Sequence, residues 1–316
     1  MTAPRVRFAP SPTGDLHLGN LRTALLAWLF ARSTGGRFLV RMEDLDLVQS
    51  RPEHAASQLA DLTALGIDHD GEVLHQSSRF AIYEEAIARL DAAGLTYPCF
   101  CTRREIRQAA AAPQEPTAME APEGAYPGTC RDLGEAERDE RSATGRLPAL
   151  RLRAEPGVVV TVEDALLGAV SAPVDDVVLR RNDGVPAYNL AVVVDDAAQG
   201  VEQVVRGDDL ASSAPRQRYL AGLLGLPPVG YAHVPLVLGP DGRRLAKRDG
   251  AVTLADQQAG GRSAHEVLAL LAVSLHLALP GEAVSTADLV SRFEPSLVPR
   301  APWILGRREI GVRRQA

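Results

Sequence analysis

The 316-residue sequence predicts an α/β fold in which a parallel sheet is interrupted by an inserted α+β segment and followed by a short helical C-terminal region. Within residues 1–44, a strand pattern, a long apolar helix pattern and a second strand pattern follow one another. This order usually gives parallel strands joined by a right-handed crossover. A stretch rich in Ala, Pro and Glu then separates this opening from later strand and helix patterns.

Residues 1–96 are predicted to form the first half of the sheet domain. "RVRF" (5–8) is predicted as a strand, and "LGNLRTALLAWLFARSTGG" (18–36) as a helix that ends at Gly35-Gly36. "RFLVRMED" (37–44) is predicted as the second strand. Two further helices are predicted over 51–66 and 78–94.

The rest of the chain divides into three parts by composition. We predict an inserted subdomain over 97–180, the second half of the sheet domain over 181–240, and a basic loop with a helical C-terminal region over 241–316. Strand-like runs are predicted at 149–154, 158–173, 176–200 and 232–242. Helices are predicted at 214–225 and 263–278.

Composition narrows the function classes. Apolar residues make up 46% and charged residues 23%, which is ordinary for a soluble globular protein. The apolar runs are too short or too interrupted to span a membrane, and the N-terminus lacks the apolar core of a signal peptide. Three cysteines do not make a disulfide framework, so we expect a cytoplasmic protein. The net charge of −6 argues against non-specific coating of nucleic acid but allows a local basic face.

The segment "FAPSPTGDLHLGN" (8–20) carries the first chemical signal. A strand runs into a Pro/Gly loop, and a helix begins near Gly19 with His17 just ahead of it. Backbone N–H groups and the dipole at a helix start favour anions, and Gly14 and Gly19 allow close approach. The alternative is an ordinary helix entry with a half-buried histidine.

The segment "GRRLAKRDG" (242–250) carries the second signal, because Lys247 is the single lysine of the chain. Its ammonium is a compact, mobile point charge, whereas guanidinium is a planar fork. Together with Arg243, Arg244 and Arg248 it lies on a Gly-flanked loop that could close over polyphosphate. The alternatives are a solvated charge run and a lysine left by chance.

Together these segments resemble the paired signatures of class I aminoacyl-tRNA synthetases. His17-Leu18-Gly19-Asn20 stands in the place of the HIGH motif, and residues 244–248 stand in the place of KMSKS, with Lys247 on its second lysine. Arg244 and Ala246 depart from that motif. "RFAPSPTGDLHLGNLRTAL", "RMEDLD", "VRGDDL" and "GPDG" resemble the glutamyl branch. The resemblance implies a Rossmann-type nucleotide-binding sheet.

The resemblance also implies the reaction. An amino-acid carboxylate attacks the α-phosphate of ATP in the presence of Mg²⁺ and gives an aminoacyl-adenylate and pyrophosphate. The protein aligns the groups and stabilises phosphate charge. His17 and Lys247 would act on the phosphates from opposite sides. The implied ATP-binding residues are His17, Gly19, Asn20, Arg244 and Lys247.

A glutamate substrate needs cations for its side-chain carboxylate and an anion for its ammonium. By family position, Arg7 and Arg206 would supply the cations, Glu43 would supply the anion, and Ser11 and Tyr188 would complete the pocket. Each residue also has an ordinary structural reading. Arg7 could face solvent from its strand, Glu43 could belong to an acidic helix start, and Tyr188 could be a core residue.

All three cysteines lie close together in the sequence, at Cys99, Cys101 and Cys130. Three thiolates and one further ligand would make a tetrahedral structural zinc site, but no histidine lies between residues 99 and 130. Tyr126 is not a common zinc ligand. Yet C-x-C…Y-x3-C resembles the zinc site of glutamyl-Q tRNA(Asp) synthetases and some glutamyl-tRNA synthetases. This resemblance implies one zinc ion per chain, bracing the insertion. The alternative is three buried thiols.

Chain length selects a branch of the family. Only about 70 residues follow Lys247, too few for the anticodon-reading domain of an ordinary glutamyl-tRNA synthetase. The chain therefore resembles the glutamyl-Q tRNA(Asp) synthetases, which activate L-glutamate without tRNA and attach it to queuosine in tRNA(Asp). The alternatives are a truncated enzyme charging tRNA(Glu), a small-molecule nucleotidyltransferase, and a degenerate domain that only binds RNA.

A monomer is the expected oligomeric state. We expect tRNA to bind local arginines, because the protein as a whole is acidic. The candidates are Arg103, Arg104 and Arg107 beside the cysteines, or Arg307, Arg308, Arg313 and Arg314 at the C-terminus.

Overall fold

The computed structural model describes residues 3–110, 125–245 and 252–306. Its strands are β1 (Arg5–Phe8), β2 (Arg37–Met42), β3 (Leu74–His75), β4 (Thr96–Cys99), β5 (Ala149–Leu152), β6 (Val159–Asp164), β7 (Gly168–Pro173), β8 (Val178–Arg180), β9 (Gln203–Gly207), β10 (Gly230–Val234), β11 (Val237–Leu238) and β12 (Trp303–Ile304). Its helices are α1 (Leu18–Arg32), α2 (Pro52–Ala64), α3 (Phe80–Ala92), α4 (Arg103–Ala110), α5 (Glu135–Ala143), α6 (Tyr188–Ala198), α7 (Ala214–Leu223), α8 (Leu254–Ala259), α9 (Ala264–Ser274) and α10 (Thr286–Arg292).

A seven-stranded sheet organises the fold, with the strand order β3-β2-β1-β9-β10-β6-β7. All its neighbouring strands are parallel except β6 and β7, which form an antiparallel hairpin. This confirms the predicted α/β class. The chain leaves β1 towards β2 on one side, and β9 lies on the other. Ligands of such sheets bind at this switch point, beyond the carboxyl ends of the strands.

A smaller antiparallel sheet, β4-β5-β8, begins at Thr96, one residue before the range predicted as the insertion, and otherwise lies within that range. The β6–β7 hairpin falls in the same range, but it extends the main sheet through the pairing of Tyr231 with Asp164. The division of the chain into domains remains a prediction.

The strand-like prediction over 176–200 is wrong for its second half. Residues 188–198 form α6, although Val192, Val193 and Val194 favour strands. All three valines are at most 8% exposed, so tertiary burial outweighs local preference. Asp195 and Asp196 are both buried as well, and a strand would place these adjacent side chains on opposite faces.

The main core forms around α1, which is apolar on nearly every side. Leu18, Leu21 and Leu25 are fully buried, and helix α9 packs into the same core through Val267 and Leu271. The turn after α1 requires glycine at position 36, because a Cβ there would lie 2.3 Å from the carbonyl oxygen of Pro4. In the described part of the chain, no helix is long and apolar enough to cross a membrane.

Candidate active site

The predicted site residues surround a cavity of about 720 Å³ at the carboxyl ends of β1 and β9. Its lining includes most of the residues that the sequence singled out: Arg7, Ser11, Gly14, His17, Gly19, Asn20, Glu43, Tyr188, Arg206 and Arg244. A second cavity, of about 900 Å³, shares Ser11, Glu43 and Tyr188 with the first and extends to Cys99 and Cys101. The two cavities therefore connect the predicted glutamate site with the cysteine cluster.

His17 is the N-cap of α1. Its Nδ1 accepts hydrogen bonds from the backbone N–H groups of Gly19 (3.0 Å) and Asn20 (3.2 Å), and the Asn20 side chain accepts one from the His17 N–H (3.2 Å). Burial lowers the pKa of His17, so the ring is neutral. Because Nδ1 is an acceptor, the ring proton lies on Nε2. A Cβ at Gly19 would lie 2.8 Å from this ring.

This cap changes the predicted anion site. The sequence predicts that the first N–H groups of α1 are available for phosphate, but those of Gly19 and Asn20 donate to His17. The N–H of Leu18 donates to the carbonyl oxygen of Val252 at 2.7 Å. Among the described groups at this helix start, the Nε2–H of His17 and the side-chain amide N–H groups of Asn20 can still face an anion, and the helix dipole favours one.

Arg7 belongs to a buried charge network that the sequence analysis did not identify. Arg7 is 3% exposed and donates to both carboxylate oxygens of Asp196, at 3.1 and 3.2 Å. Arg41 donates to the same carboxylate at 2.7 Å and to Gln199 at 3.0 Å. Burial opposes ionisation of Asp196, but Arg41 and Arg7 outweigh it and lower the pKa of that carboxyl. The solvent-facing reading of Arg7 is therefore wrong.

Glu43 lies just beyond β2, with its side chain 11% exposed. Its nearest cation is Arg41, whose Nη2 lies 3.5 Å from the Glu43 carboxylate. Burial raises the pKa of Glu43, although Arg41 and Arg7 act in the opposite direction. Its negative charge is thus only partly compensated, and a bound ammonium group would stabilise it.

Arg206 and Tyr188 are brought together, as the resemblance implied. Arg206, on β9, donates from Nη1 to the Tyr188 hydroxyl at 3.3 Å and to Gln217 Oε1 at 2.8 Å. Its Nη2 donates to the Leu210 carbonyl at 3.2 Å. Arg206 is only 5% exposed, which fixes its guanidinium beside the cavity.

The loop that contains Ser11 is held by Gln58, another residue that the sequence analysis missed. Gln58 is buried on α2, and its Nε2 donates to the carbonyl oxygens of Ser11 (3.1 Å) and Gly14 (2.7 Å). Ser11 itself is exposed and lines both cavities.

The Gly-flanked basic loop at 242–250, which we call the lysine loop, is described only near its two ends. Lys247, Ala246 and Arg248 lie outside the described residues. Before them, Arg244 forms an ion pair with Asp209 at 2.6 Å and lines the cavity. After them, Thr253 forms a bridge with His17. The later end of the loop therefore lies beside the start of α1, and the earlier end lies at the cavity that His17 also lines. The candidate RNA-contacting arginines at positions 307, 308, 313 and 314 also lie outside the described residues.

The three cysteines form a cluster near the smaller sheet. The sulfur atoms of Cys99, Cys101 and Cys130 all lie within 4.8 Å of one another, and two of them are 3.4 Å apart. The Tyr126 hydroxyl oxygen lies 3.4 Å from Cys99 Sγ and accepts the backbone N–H of Cys130 at 2.7 Å. Arg151 stacks on the Tyr126 ring at 3.7 Å.

This cluster suits a thiophilic metal ion. Ligands at about 2.3 Å from a tetrahedral zinc ion lie roughly 3.8 Å from one another, which agrees with the sulfur spacing. Burial raises the pKa of the Cys101 thiol to about 12. Burial acts in the same direction at Cys130, but hydrogen bonds from Phe100, Tyr126 and Cys101 outweigh it and lower the pKa of the Cys130 thiol. A Cys101 thiolate therefore needs a nearby cation, and the three-sulfur donor set fits Zn²⁺.

The chain is similar to tRNA synthetases. The family model described as "tRNA synthetases class I (E and Q), catalytic domain" matches residues 4–291. The "Glutamyl-Q tRNA(Asp) synthetase" of Nocardia farcinica is 64% identical over 95% of this chain and 92% of its own length. The protein of the same name in Symbiobacterium thermophilum is 47% identical over 94% of each chain. A crystal structure of a glutamate tRNA ligase from Elizabethkingia meningosepticum, in complex with its amino acid, has a TM-score of 0.80 at 26% identity, covering 98% of this chain and 68% of that one.

Proposed function

The chain belongs to the glutamyl-Q tRNA(Asp) synthetases within the class I glutamate and glutamine tRNA synthetase family, and we propose that it activates L-glutamate with ATP and transfers it to queuosine in tRNA(Asp). One observation carries the proposal. The cap of a helix start, a partly compensated carboxylate and a buried arginine line one cavity, through His17, Glu43 and Arg206. These groups match a phosphate, an ammonium and a side-chain carboxylate.

Glutamate recognition follows from the charges in the cavity. Glu43 would bind the substrate ammonium, and Arg206 with Tyr188 would bind the side-chain carboxylate. Asp196 takes one edge of the Arg7 guanidinium, so Arg7 contributes positive charge and its remaining N–H groups. Ser11 completes the pocket at the junction with the second cavity.

Activation transfers the adenylyl group. A carboxylate oxygen of glutamate bonds to the α-phosphorus of ATP, and the bond between that phosphorus and the bridging oxygen breaks, releasing pyrophosphate. His17 would donate Nε2–H to a phosphate oxygen, because the neutral ring accepts at Nδ1 and therefore carries its proton on Nε2. Arg244 and Lys247 would supply positive charge from the lysine loop. Mg²⁺ bound with ATP would neutralise part of the phosphate charge.

Transfer to RNA needs a second entrance to the activated carboxyl. A hydroxyl oxygen of the queuosine ring attacks the adenylate carbonyl carbon and loses its proton, and AMP leaves. The larger cavity reaches the glutamate site beside Glu43 and Tyr188 and is lined by Arg103, Arg146 and Arg181. These cations suit an approaching phosphate backbone. The exposed Arg104 and Arg107 follow Arg103 on α4.

A structural zinc ion would brace this entrance. Cys99, Cys101 and Cys130 would hold it as thiolates, with Tyr126 as the fourth ligand. When bound, the ion would crosslink β4 to the segment around Cys130. Cys99 and Cys101 line the larger cavity, so the crosslink would define one of its walls.

Glutamate-dependent exchange of pyrophosphate into ATP tests the proposal. We expect exchange without tRNA, followed by labelling of queuosine-containing tRNA(Asp) alone. Glu43→Gln should lose most of the exchange, and the exposed Glu53→Gln should retain it. Exchange that requires tRNA(Glu) would indicate an ordinary glutamyl-tRNA synthetase activity. Absence of exchange with every amino acid would contradict the proposal and favour a nucleotidyltransferase or an RNA-binding domain.

A further inference from the structure

We propose that His233 and Asp164 are positioning residues that hold Arg206 in the orientation needed to select a carboxylate side chain. The inference rests on the proposed activation of glutamate and adds two residues to it. Neither residue lines the cavity, and both are buried behind Arg206.

Three neighbouring strands bring these residues together. Arg206 on β9 and His233 on β10 are directly opposite in the parallel register. Asp164 ends β6, and its register partner on β10 is Tyr231. The Tyr231 ring stacks on the His233 ring at 5.6 Å and lies 5.4 Å from the Arg206 guanidinium carbon.

Asp164 is held as a carboxylate by four donors. Its Oδ1 accepts the backbone N–H groups of Leu166 and Leu167, both at 2.8 Å. Its Oδ2 accepts the His233 backbone N–H at 3.0 Å and pairs with His233 Nδ1 at 2.6 Å. Burial opposes ionisation, but these hydrogen bonds lower the pKa of Asp164.

The carboxylate selects one tautomer of His233. An ionised Asp164 only accepts hydrogen bonds, so His233 Nδ1 carries the proton. Burial lowers the pKa of His233, which keeps the ring neutral and leaves Nε2 as an acceptor. Arg206 Nε donates to that nitrogen at 3.0 Å. A proton on Nε2 would instead point at the Nε–H of Arg206, so that two donors would face each other and no hydrogen bond could form.

This chain of hydrogen bonds leaves a defined part of Arg206 for substrate. Its Nε–H goes to His233, its two Nη1–H groups to Tyr188 and Gln217, and one Nη2–H to Leu210. Arginine has five N–H donors, and the described residues accept four of those of Arg206. One Nη2–H is therefore left for a ligand. If the Nε contact were lost, the guanidinium could rotate, and its alignment with the Tyr188 hydroxyl would be lost.

A matched pair of substitutions tests the proposal. His233→Asn keeps an amide near the position of Nδ1, where it can donate to Asp164, but removes the acceptor for Arg206. His233→Gln places a carbonyl oxygen near the position of Nε2. In pyrophosphate exchange, we expect His233→Asn to raise the KM for glutamate roughly tenfold to hundredfold, with kcat and the KM for ATP within about twofold of the parent. His233→Gln should restore most of the loss.

Either of two kinetic results would overturn the positioning role. One is an unchanged KM for glutamate in both variants. The other is an equal loss of kcat and of both KM values, which indicates only a structural role. If the parent protein shows no exchange at all, the proposed function is wrong, and the hydrogen-bond chain is then judged by nitrogen NMR.

Nitrogen NMR does not depend on activity. We expect His233 as the neutral Nδ1–H tautomer, together with a slowly exchanging Arg206 Nε–H. Asp164→Asn should populate the other tautomer and accelerate that exchange. An imidazolium or an Nε2–H tautomer in the parent protein would overturn the proposal.

Discussion

His17 combines two roles that substitution can separate. Its Nδ1 caps α1 by accepting from Gly19 and Asn20, and its Nε2–H is the proposed phosphate donor. His17→Asn replaces the ring with one of the best N-cap side chains and removes the donor. His17→Ala removes both. The prediction is that the two variants have equal activity and different stability.

The magnitudes follow from the two contacts. Loss of an N-cap side chain costs about 1 kcal/mol, within a range of roughly 0.5 to 2 kcal/mol. The alanine variant should lose this amount, because two backbone N–H groups in a half-buried helix start lose their acceptor. The asparagine variant should stay within about 0.5 kcal/mol of the parent. Loss of one preorganised donor to a charged transition state lowers kcat by roughly 10²- to 10³-fold, and both variants should show that loss.

The assays are urea unfolding for stability and glutamate-dependent pyrophosphate exchange for kcat. If His17→Asn exchanged at the parent rate, Nε2–H donation in the transition state would be refuted. If the alanine and asparagine variants were equally stable, the capping argument would be refuted. An asparagine variant that is both stable and slow is the result expected from the geometry.

Four further predictions concern other parts of the molecule. Asp196→Asn should lower the free energy of unfolding by about 3 to 5 kcal/mol, because two buried arginines lose their shared carboxylate, whereas the exposed Asp183→Asn should have little effect in the same urea titration. Lys247→Arg keeps the charge but not the compact ammonium, so single-turnover kinetics should show a much slower adenylation step with a smaller change in ATP affinity; unchanged turnover would contradict this. Cys101→Ser should lower the zinc content measured by mass spectrometry from about one per chain, and equal zinc in both proteins would exclude this ligand. Burial raises the pKa of Glu43, so on acidification it loses its negative charge at a higher pH than an ordinary glutamate, and the KM for glutamate should rise there; a KM that is independent of pH would count against ammonium binding by Glu43.

The sequence predicts correctly those features that depend on residues close together in the chain. The start of α1 follows from a Pro/Gly loop and a capping side chain within a few residues, and α1 begins at Leu18. The zinc-like set is nearly as local, because all its members lie within residues 99–130. The prediction from sequence is wrong at α6, where a run of valines favours a strand but burial on most sides of the segment decides the outcome.

The missed residues are those whose partners lie far away in the sequence. Asp196 pairs with Arg7 across 189 residues, and His233 pairs with Asp164 across 69. Periodicity can show that such a residue points inward, but it cannot identify the group that it meets. One signal was present: two adjacent acidic residues at the end of the apolar run 190–194 need buried cations.

At Arg7, the alternation of polar and apolar residues along the strand misleads. An arginine between Val6 and Phe8 is predicted to point to solvent from one face of the strand. Both faces of this parallel sheet are covered, however, and Arg7 is buried. A charged residue in such a strand is therefore buried, and it must meet an opposite charge. Arg7 and Arg41 lie on the neighbouring strands β1 and β2, and both meet Asp196 on α6. These two ion pairs anchor α6, whose first residue, Tyr188, contacts Arg206. The buried charges of Arg7, Arg41 and Asp196 thus hold the helix that carries Tyr188, a residue of the proposed substrate pocket. For this reason we expect Asp196→Asn to lower the free energy of unfolding first, and to affect activity only through that loss.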